Sequence, residues 1–400
     1  MKVLIANNYY FPNMEGGAEF SVKLLAESLV ESGCDVYVLS MDGKTNTSFE
    51  SVEIINGVKV IRCFSKSIYR RRILKDKTHF TDKILNGIHS IWNHAMNENV
   101  RKIVDEISPD IIHSNNLVSM SYWIWKYAKK RNIPVVHTLR DYWLLDPTTN
   151  IGNTPEVLVY FFRLYNRQLS NKYVSLVTAP SDCTLEIFKE KGYFVNCKKQ
   201  KIVNAISFDY NLMCEMLEEK LCRNNQKVNF VFAGKVSENK GIKILINSFI
   251  KSGVEGNLTI CGSGDLETWI KEKNNVQIIL KGKLQQEELF EEYRKADVLI
   301  VPSLWEEPFG RIVIEGAQYG LPIIGSDRGG IPEIIRELNF GEIFDVTDFE
   351  QLLLLIRKFS NREYLRTFLL RGPKNLDQYS VSTQTKHFIE IYKQCVDRNV

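Results

Sequence analysis

Short apolar runs alternate with longer amphipathic segments along almost the whole chain. Lys2 to Ala6, Asp35 to Ser40, Val58 to Phe64, Ile111 to His113, Pro134 to Leu139 and Leu176 to Ala179 have the length and composition of strands. Stretches of helical period fall between several of them, among them Ala18 to Ser32, Val100 to Ile107 and Ser119 to Lys130. Such alternation predicts a parallel, doubly wound α/β sheet. The pattern pauses over residues 207 to 227, which are polar and charged and hold no clear strand, and this suits a crossing between domains. It restarts at Val228 to Ala233, Leu258 to Cys261, Val276 to Leu280, Val298 to Val301 and Pro322 to Gly325. The expectation is therefore two α/β domains, 1–206 and 207–379. A final helical segment puts Phe388, Ile391, Tyr392 and Cys395 on one face.

The densest chemistry lies at residues 302 to 316, Pro-Ser-Leu-Trp-Glu-Glu-Pro-Phe-Gly-Arg-Ile-Val-Ile-Glu-Gly, between a strand and a helical stretch from Arg311 to Tyr319. Glu307 is expected on the loop, and Glu315 in the first two turns of the helix, whose free N–H groups and positive dipole end favour an anion. Pro308 fixes the turn, and Gly310 removes a side chain where a ligand would approach the backbone. A carboxylate repels phosphate but accepts from two hydroxyls at once, so two of them beside an anion site suit a vicinal diol. A sugar nucleotide supplies both the diphosphate and the hydroxyls. The competing reading is a charged helix start with Glu306, Glu307 and Glu315 in solvent.

Glu307 and Glu315, with seven residues between them and the first set in Glu-Pro-Phe-Gly, are followed by Gly320-Leu321-Pro322 and Gly329-Gly330-Ile331-Pro332-Glu333. This constellation resembles the retaining nucleotide-sugar glycosyltransferases of family 4, over nearly the whole chain and most strongly from residue 228 to 335. The resemblance implies a GT-B fold, with two Rossmann-like domains facing a central cleft, the first for the acceptor and the second for the donor. It implies that the last helix, residues 380–400, crosses back to the first domain. It also implies that Glu307 and the backbone of Phe309 and Gly310 bind the donor sugar, that Arg311 belongs to the same donor set, and that Glu315 binds the ribose. Gly316 stands where alanine is usual.

The first loop of the second domain, Gly234-Lys235-Val236-Ser237-Glu238-Asn239-Lys240-Gly241, places two cations and two glycines at a strand-to-helix turn, a composition that favours a diphosphate. The resemblance implies a basic pair there, usually Arg and Lys. Lys235 and Lys240 keep the charge and lose the bidentate fork, and Lys240 is expected to neutralise the leaving group. Gly262-Ser263-Gly264-Asp265 resembles the next donor loop, which adds Gly262. In the first domain Gly16-Gly17 follows the first strand without completing a Gly-x-Gly-x-x-Gly pattern. Close backbone approach is expected there, Gly17 to the donor phosphate and Gly16 to the acceptor, against the plainer reading of a turn. Many relatives carry His-Asp where this chain has Arg140-Asp141, so the histidine's role is not transferred. Arg140 is expected to bring positive charge to the phosphates or acceptor, or else to pair with Asp141 or Asp146. His137 and Asp141 are the remaining acceptor-side candidates, though a strand histidine is commonly a hydrogen-bonded core residue.

Composition changes this picture little. Across 400 residues, 44% hydrophobic and 25% charged content is ordinary for globular protein. The start MKVLIANNYY turns polar too early for a signal peptide and no apolar window reaches membrane-spanning length, so a cytoplasmic location is expected. The eight cysteines form no Cys-x-x-Cys pair, and no Asp-x-Asp motif is present, so neither zinc, catalytic metal nor cofactor is expected beyond a UDP- or GDP-sugar donor. The net charge of +4 conceals an asymmetry, with 27 Lys+Arg against 20 Asp+Glu in residues 1 to 206. Lys66 to Lys83, with Arg70, Arg71, Arg72, Lys75 and Lys77 beside Tyr69 and Phe80, is a candidate for peripheral contact with an anionic membrane, or a solvated loop. No nucleic-acid-binding motif accompanies it. The reading is a retaining, metal-independent transfer of sugar to a hydroxyl of a glycan or polyprenyl-linked acceptor in cell-surface polysaccharide assembly, by same-face attack. Its rivals are an epimerase or phosphorylase on the same scaffold, and a binding-only subunit.

Overall fold

The computed structural model describes residues 1–14, 16–41, 52–63, 94–118, 120–146, 156–223 and 227–397; the basic stretch from Lys66 to Lys83 lies outside the described residues. The chain forms two compact units, Met1–Ala205 with Val381–Val400, and Ile206–Ser380.

The first unit holds β1 (Lys2–Ala6), β2 (Asp35–Ser40), β3 (Val52–Ile55), β4 (Val58–Arg62), β5 (Ile111–Ser114), β6 (Val135–Thr138), β7 (Leu176–Ala179) and β8 (Lys198–Lys201). They form one sheet in the order β3-β4-β2-β1-β5-β6-β7-β8, parallel except where β3 meets β4. β5, β6 and β7 are buried at every position, as strands covered on both faces must be. Two strands escape the hydrophobic pattern. β3 is an exposed hairpin arm closed by Asn56 and Gly57, both at positive φ, and Ile54 is 70% exposed. β8 reads Lys-Lys-Gln-Lys; it is an edge strand paired only to β7, and lysines discourage further pairing there.

The helix Val381–Asp397 packs against the helix Gly17–Glu31 and against β5. Its residues Phe388, Ile391 and Tyr392 enter the same buried cluster as Val22, Leu25 and Leu29. Tyr392 Oη is hydrogen bonded to His113 Nδ1 at 2.6 Å, His113 Nε2 to Thr138 Oγ1 at 2.6 Å, and Thr138 Oγ1 to Thr178 Oγ1 at 2.7 Å. This chain of buried polar groups ties the last helix to β5, β6 and β7.

The second unit holds β9 (Phe230–Ala233), β10 (Leu258–Cys261), β11 (Ile278–Gly282), β12 (Val298–Val301), β13 (Ile323–Ser326) and β14 (Gly341–Phe344). All pairs are parallel, in the order β11-β10-β9-β12-β13-β14, so the direction of winding reverses between β9 and β12, where α/β proteins place ligands. The second unit begins at Ile206, where the crossing was expected, and within residues 207 to 227 Tyr210–Leu221 is a helix of this unit with Asp209 as its cap. Its polarity has a structural cause. Lys220 is buried and donates to the carbonyls of Tyr293, Arg294 and Ala296, closing the end of the helix Gln286–Lys295 that precedes β12. Arg223 and Arg362 both bond the buried carboxylate of Asp297.

Burial pushes His137 down to about 3 and His113 well below its ordinary value of 6.5. Folding holds both rings neutral, so below about pH 6.5 the unfolded chain takes up protons that the folded unit refuses. Their contribution is whole above that pH and is lost on acidification, at a limiting slope of about 1.4 kcal/mol per pH unit for each ring. Urea unfolding between pH 7 and pH 5 should show this loss, with a shallower slope in His137→Gln. An unchanged slope in the variant would show that His137 is not held neutral.

Candidate active site

The loop after β12 is gripped from two sides. On one, the Asn239 carbonyl accepts from Leu304 N at 2.9 Å and Trp305 N at 3.3 Å. Gly241, at φ +73°, lies so close that an added Cβ would sit 1.8 Å from the Pro302 carbonyl oxygen. On the other side Glu306 Oε2 accepts from Gly329 N at 2.7 Å, Glu306 Oε1 from Arg328 Nη1 at 3.2 Å, and the Glu307 carbonyl from Gly330 N at 2.7 Å. Gly329 has φ +60°, and a Cβ there would meet the Glu307 carbonyl oxygen at 2.1 Å. Glu306 is thus a loop clamp rather than a solvated charge, and the motif Gly329-Gly330 supports Glu307 from behind.

Glu307 is 14% exposed and forms an ion pair with Lys240, while Ser303 Oγ donates to Glu307 Oε1 at 3.0 Å. Lys240 Nζ also stands 5.6 Å from the centre of the Trp305 ring. The two lysines expected to act as a pair are differently placed. Lys240 is half-buried against Glu307, whereas Lys235 is exposed and has no ion pair among the described residues. Gly234 and Gly262 come together because their loops pack backbone to backbone: a Cβ on Gly262 would lie 1.8 Å from the Gly234 carbonyl oxygen.

The helix Arg311–Gln318 starts at Gly310, φ +101°, and its positive end carries no side-chain cap. Phe309 is 4% exposed and turns its ring toward Tyr379, so only its backbone can meet a ligand. Arg311 Nε bonds Glu315 Oε1 at 2.6 Å, and both side chains line a pocket of about 330 Å³, open to solvent, with Phe290 and Tyr319 as its apolar wall. Glycine at 316 has a local reason, since a Cβ there would come within 2.5 Å of Leu299 Cδ2 on the buried strand β12.

In the first unit Arg140 Nε donates to Asn115 Oδ1 at 2.8 Å and Nη1 to Asn204 Oδ1 at 2.5 Å, at the ends of β5, β6 and β8. Asp141 is only partly exposed; the desolvation of its carboxyl raises its pKa, outweighing the bond from Trp143 N, and Asn116 Nδ2 donates to it at 2.9 Å. His137, the other acceptor-side candidate, lies on β6. It is 3% exposed, bonded to Ser114 Oγ at 2.9 Å and packed between Trp125 and Phe194, because its strand is covered on both faces. Gly16 and Gly17 start an exposed helix end at ordinary negative or extended φ, with Gly16 N donating to Glu19 Oε2 at 2.9 Å. Neither position requires glycine for its backbone shape.

Sequence reasoning did not single out Ser303, Asn239, Arg328, Asn115 or Asn204. Ser303 carried a signal, lying four residues before Glu307 in the motif itself; the others depend on contacts between distant loops. Among the described residues no group of three or more His, Cys, Asp or Glu is placed to hold a metal ion, and no helix is long and apolar enough to cross a membrane.

Residues 15–204 match the family model Glycosyltransferase Family 4, and residues 215–371 match Glycosyl transferases group 1. An uncharacterized 42.6 kDa protein in the cps region of Klebsiella pneumoniae is 26% identical over 403 residues, covering 98% of this chain and all of its own. Sucrose-phosphate synthase from Thermosynechococcus elongatus superposes with a TM-score of 0.74 at 17% identity, over 98% of each chain. HepE of Anabaena, solved in complex with UDP and glucose, gives 0.67 at 16% identity over 98% of this chain and 100% of its own. HepE has also been solved with UDP-glucose. Two glycosyltransferase domain models in tandem, on two parallel-sheet units with the GT-B fold, identify the chain as a glycosyltransferase.

Proposed function

We propose that this glycosyltransferase takes its sugar from a nucleotide diphosphate, a UDP- or GDP-sugar, and passes it with retention to a hydroxyl of a glycan or polyprenyl-linked acceptor in cell-surface polysaccharide assembly. One observation carries the donor reading. An ammonium, a carboxylate and an uncapped helix start converge where β9 and β12 end, and a diphosphate joined to a polyol satisfies all three. HepE's complexes with UDP and UDP-glucose and the cps location of the Klebsiella relative support the same direction.

In this reading Lys240, with Lys235 at the rim, and the N–H groups beginning the helix Arg311–Gln318 neutralise the departing diphosphate, so that no metal is called on. Gly234 and Gly262 let the backbone near the phosphates. Glu307 and the Phe309 and Gly310 backbone hold the sugar, while Glu315, fixed by Arg311, accepts from the ribose. Arg140 and Asp141 lie at the strand ends of the first unit and serve the acceptor, where Gly16 admits a close approach, while Gly17 does so for the donor phosphate. The reading is tested by mass spectrometry after incubation with UDP-, GDP- and ADP-sugars and a cell-envelope lipid extract. Release of nucleoside diphosphate with a glycosylated product is expected. A protein that neither hydrolyses nor transfers from any donor, or that returns only an isomerised donor, overturns it.

Glu315→Ala should weaken nucleotide-sugar binding roughly 10- to 150-fold, the value of a hydrogen bond to a charged group; unchanged affinity in calorimetry would remove the ribose assignment. Glu307→Ala should abolish transfer while sparing affinity for the free nucleoside diphosphate, because the variant leaves Lys240 without its carboxylate and available to phosphate. Equal losses for the free nucleotide and the sugar nucleotide would argue against its contact with the sugar. Arg140→Met keeps length and removes charge. Transfer should fall by about a hundredfold or more, with donor affinity within a few-fold of wild type. Loss of stability at normal turnover would instead show that Arg140 only braces Asn115 and Asn204.

A further inference from the structure

We infer that Ser303 is a positioning residue for Glu307: it holds one carboxylate oxygen so that the other alone meets the donor sugar. The inference rests on the donor reading above and deepens it.

Ser303 is 2% exposed and follows Pro302 at the end of β12, a place with no room for another rotamer partner from solvent. Three acceptors surround its Oγ: Glu307 Oε1 at 3.0 Å, the Trp305 carbonyl at 3.3 Å and the Asn239 carbonyl at 3.4 Å. A hydroxyl has one proton to give. The nearest acceptor is also the charged one, and charge-assisted bonds are the stronger, so the proton goes to the carboxylate. Lys240 meets the same oxygen, Oε1. Among the described residues no donor lies on Oε2.

The two donors do different work. Lys240 sits on a flexible four-carbon stem, so it supplies charge without fixing the plane of the carboxylate. Ser303 has one short rotor on a strand end, so it fixes that plane. When a diphosphate draws the Lys240 ammonium toward itself, Ser303 remains as the anchor of Oε1. Oε2 then presents itself to a single sugar hydroxyl, rather than the two oxygens meeting two hydroxyls. This role is felt only when a sugar is present.

The test uses the full chain with Ser303→Ala and Ser303→Thr. The probes are the sugar nucleotide that the wild-type protein turns over fastest in the donor panel and the matching free nucleoside diphosphate. Ser303→Ala should lower kcat for that donor roughly 10-fold or more, the value of a lost bond to a charged acceptor. The Kd of the free nucleoside diphosphate should stay within about twofold, since nothing binding the phosphates has changed. Ser303→Thr, which keeps the hydroxyl, should restore most of the rate. In a Glu307→Gln background the further change to Ser303→Ala should cost nothing more. A wild-type kcat in Ser303→Ala, an equal loss of nucleoside diphosphate affinity, or a fall that persists in the Glu307→Gln background would each overturn the role of Ser303 while leaving the donor reading standing. A wild-type protein inactive on every donor would overturn the donor reading and this inference together.

Discussion

The second unit depends on backbone contacts too close for any side chain. Gly241 presses on Pro302, and Gly329 presses on Glu307, so the loop after β12 is held between the loop after β9 and the loop after β13. At both places the φ is positive and an added Cβ would fall inside a carbonyl oxygen. Because the hold is on the main chain, it also fixes the backbone that carries Glu307, whose side chain is 14% exposed and paired with Lys240. Packing of this kind transmits small shifts, so a substitution at either glycine would be felt at the carboxylate.

The same logic explains what the sequence made readable. Strands covered on both faces carry their burial in consecutive apolar residues, and β1, β5, β9 and β12 are legible for that reason. β3 and β8 are not, because an edge strand is held by its neighbour's hydrogen bonds and needs no apolar content of its own. The polar stretch around Lys220 and Arg223 was misleading in the opposite sense. Its charges close a helix end and surround Asp297, a contact between positions more than seventy residues apart that no local pattern announces. In the site, Glu307, Glu315 and Lys240 stand where spacing placed them. Their partners Ser303, Asn239 and Arg328 do not advertise a function in type or period. Glu306 illustrates the limit, since adjacent glutamates look equivalent in sequence and only contacts distinguish Glu306, bonded to Arg328 and Gly329, from Glu307, paired with Lys240.

The first unit shows how burial selects among polar residues. His113 and His137 lie on covered strands and are neutral core rings tied to hydroxyls, so neither is available as a base near neutral pH. Arg140 and Asp141 begin immediately beyond the end of β6, where the sheet no longer covers them. Asn115 and Asn204 orient the guanidinium, one through Nε and the other through Nη1.

Lysine rather than arginine at position 240 follows from the geometry of the carboxylate it meets. A guanidinium is a planar fork that matches both oxygens of a carboxylate at once, and beside Glu307 it would occupy Oε1 and Oε2 together. The ammonium is a point charge and meets only Oε1, which Ser303 also bonds. One face of the carboxylate is thereby left open within a half-buried setting. The choice of cation and the choice of Ser303 are therefore one constraint: both meet Oε1 of Glu307 and leave Oε2 without a donor among the described residues.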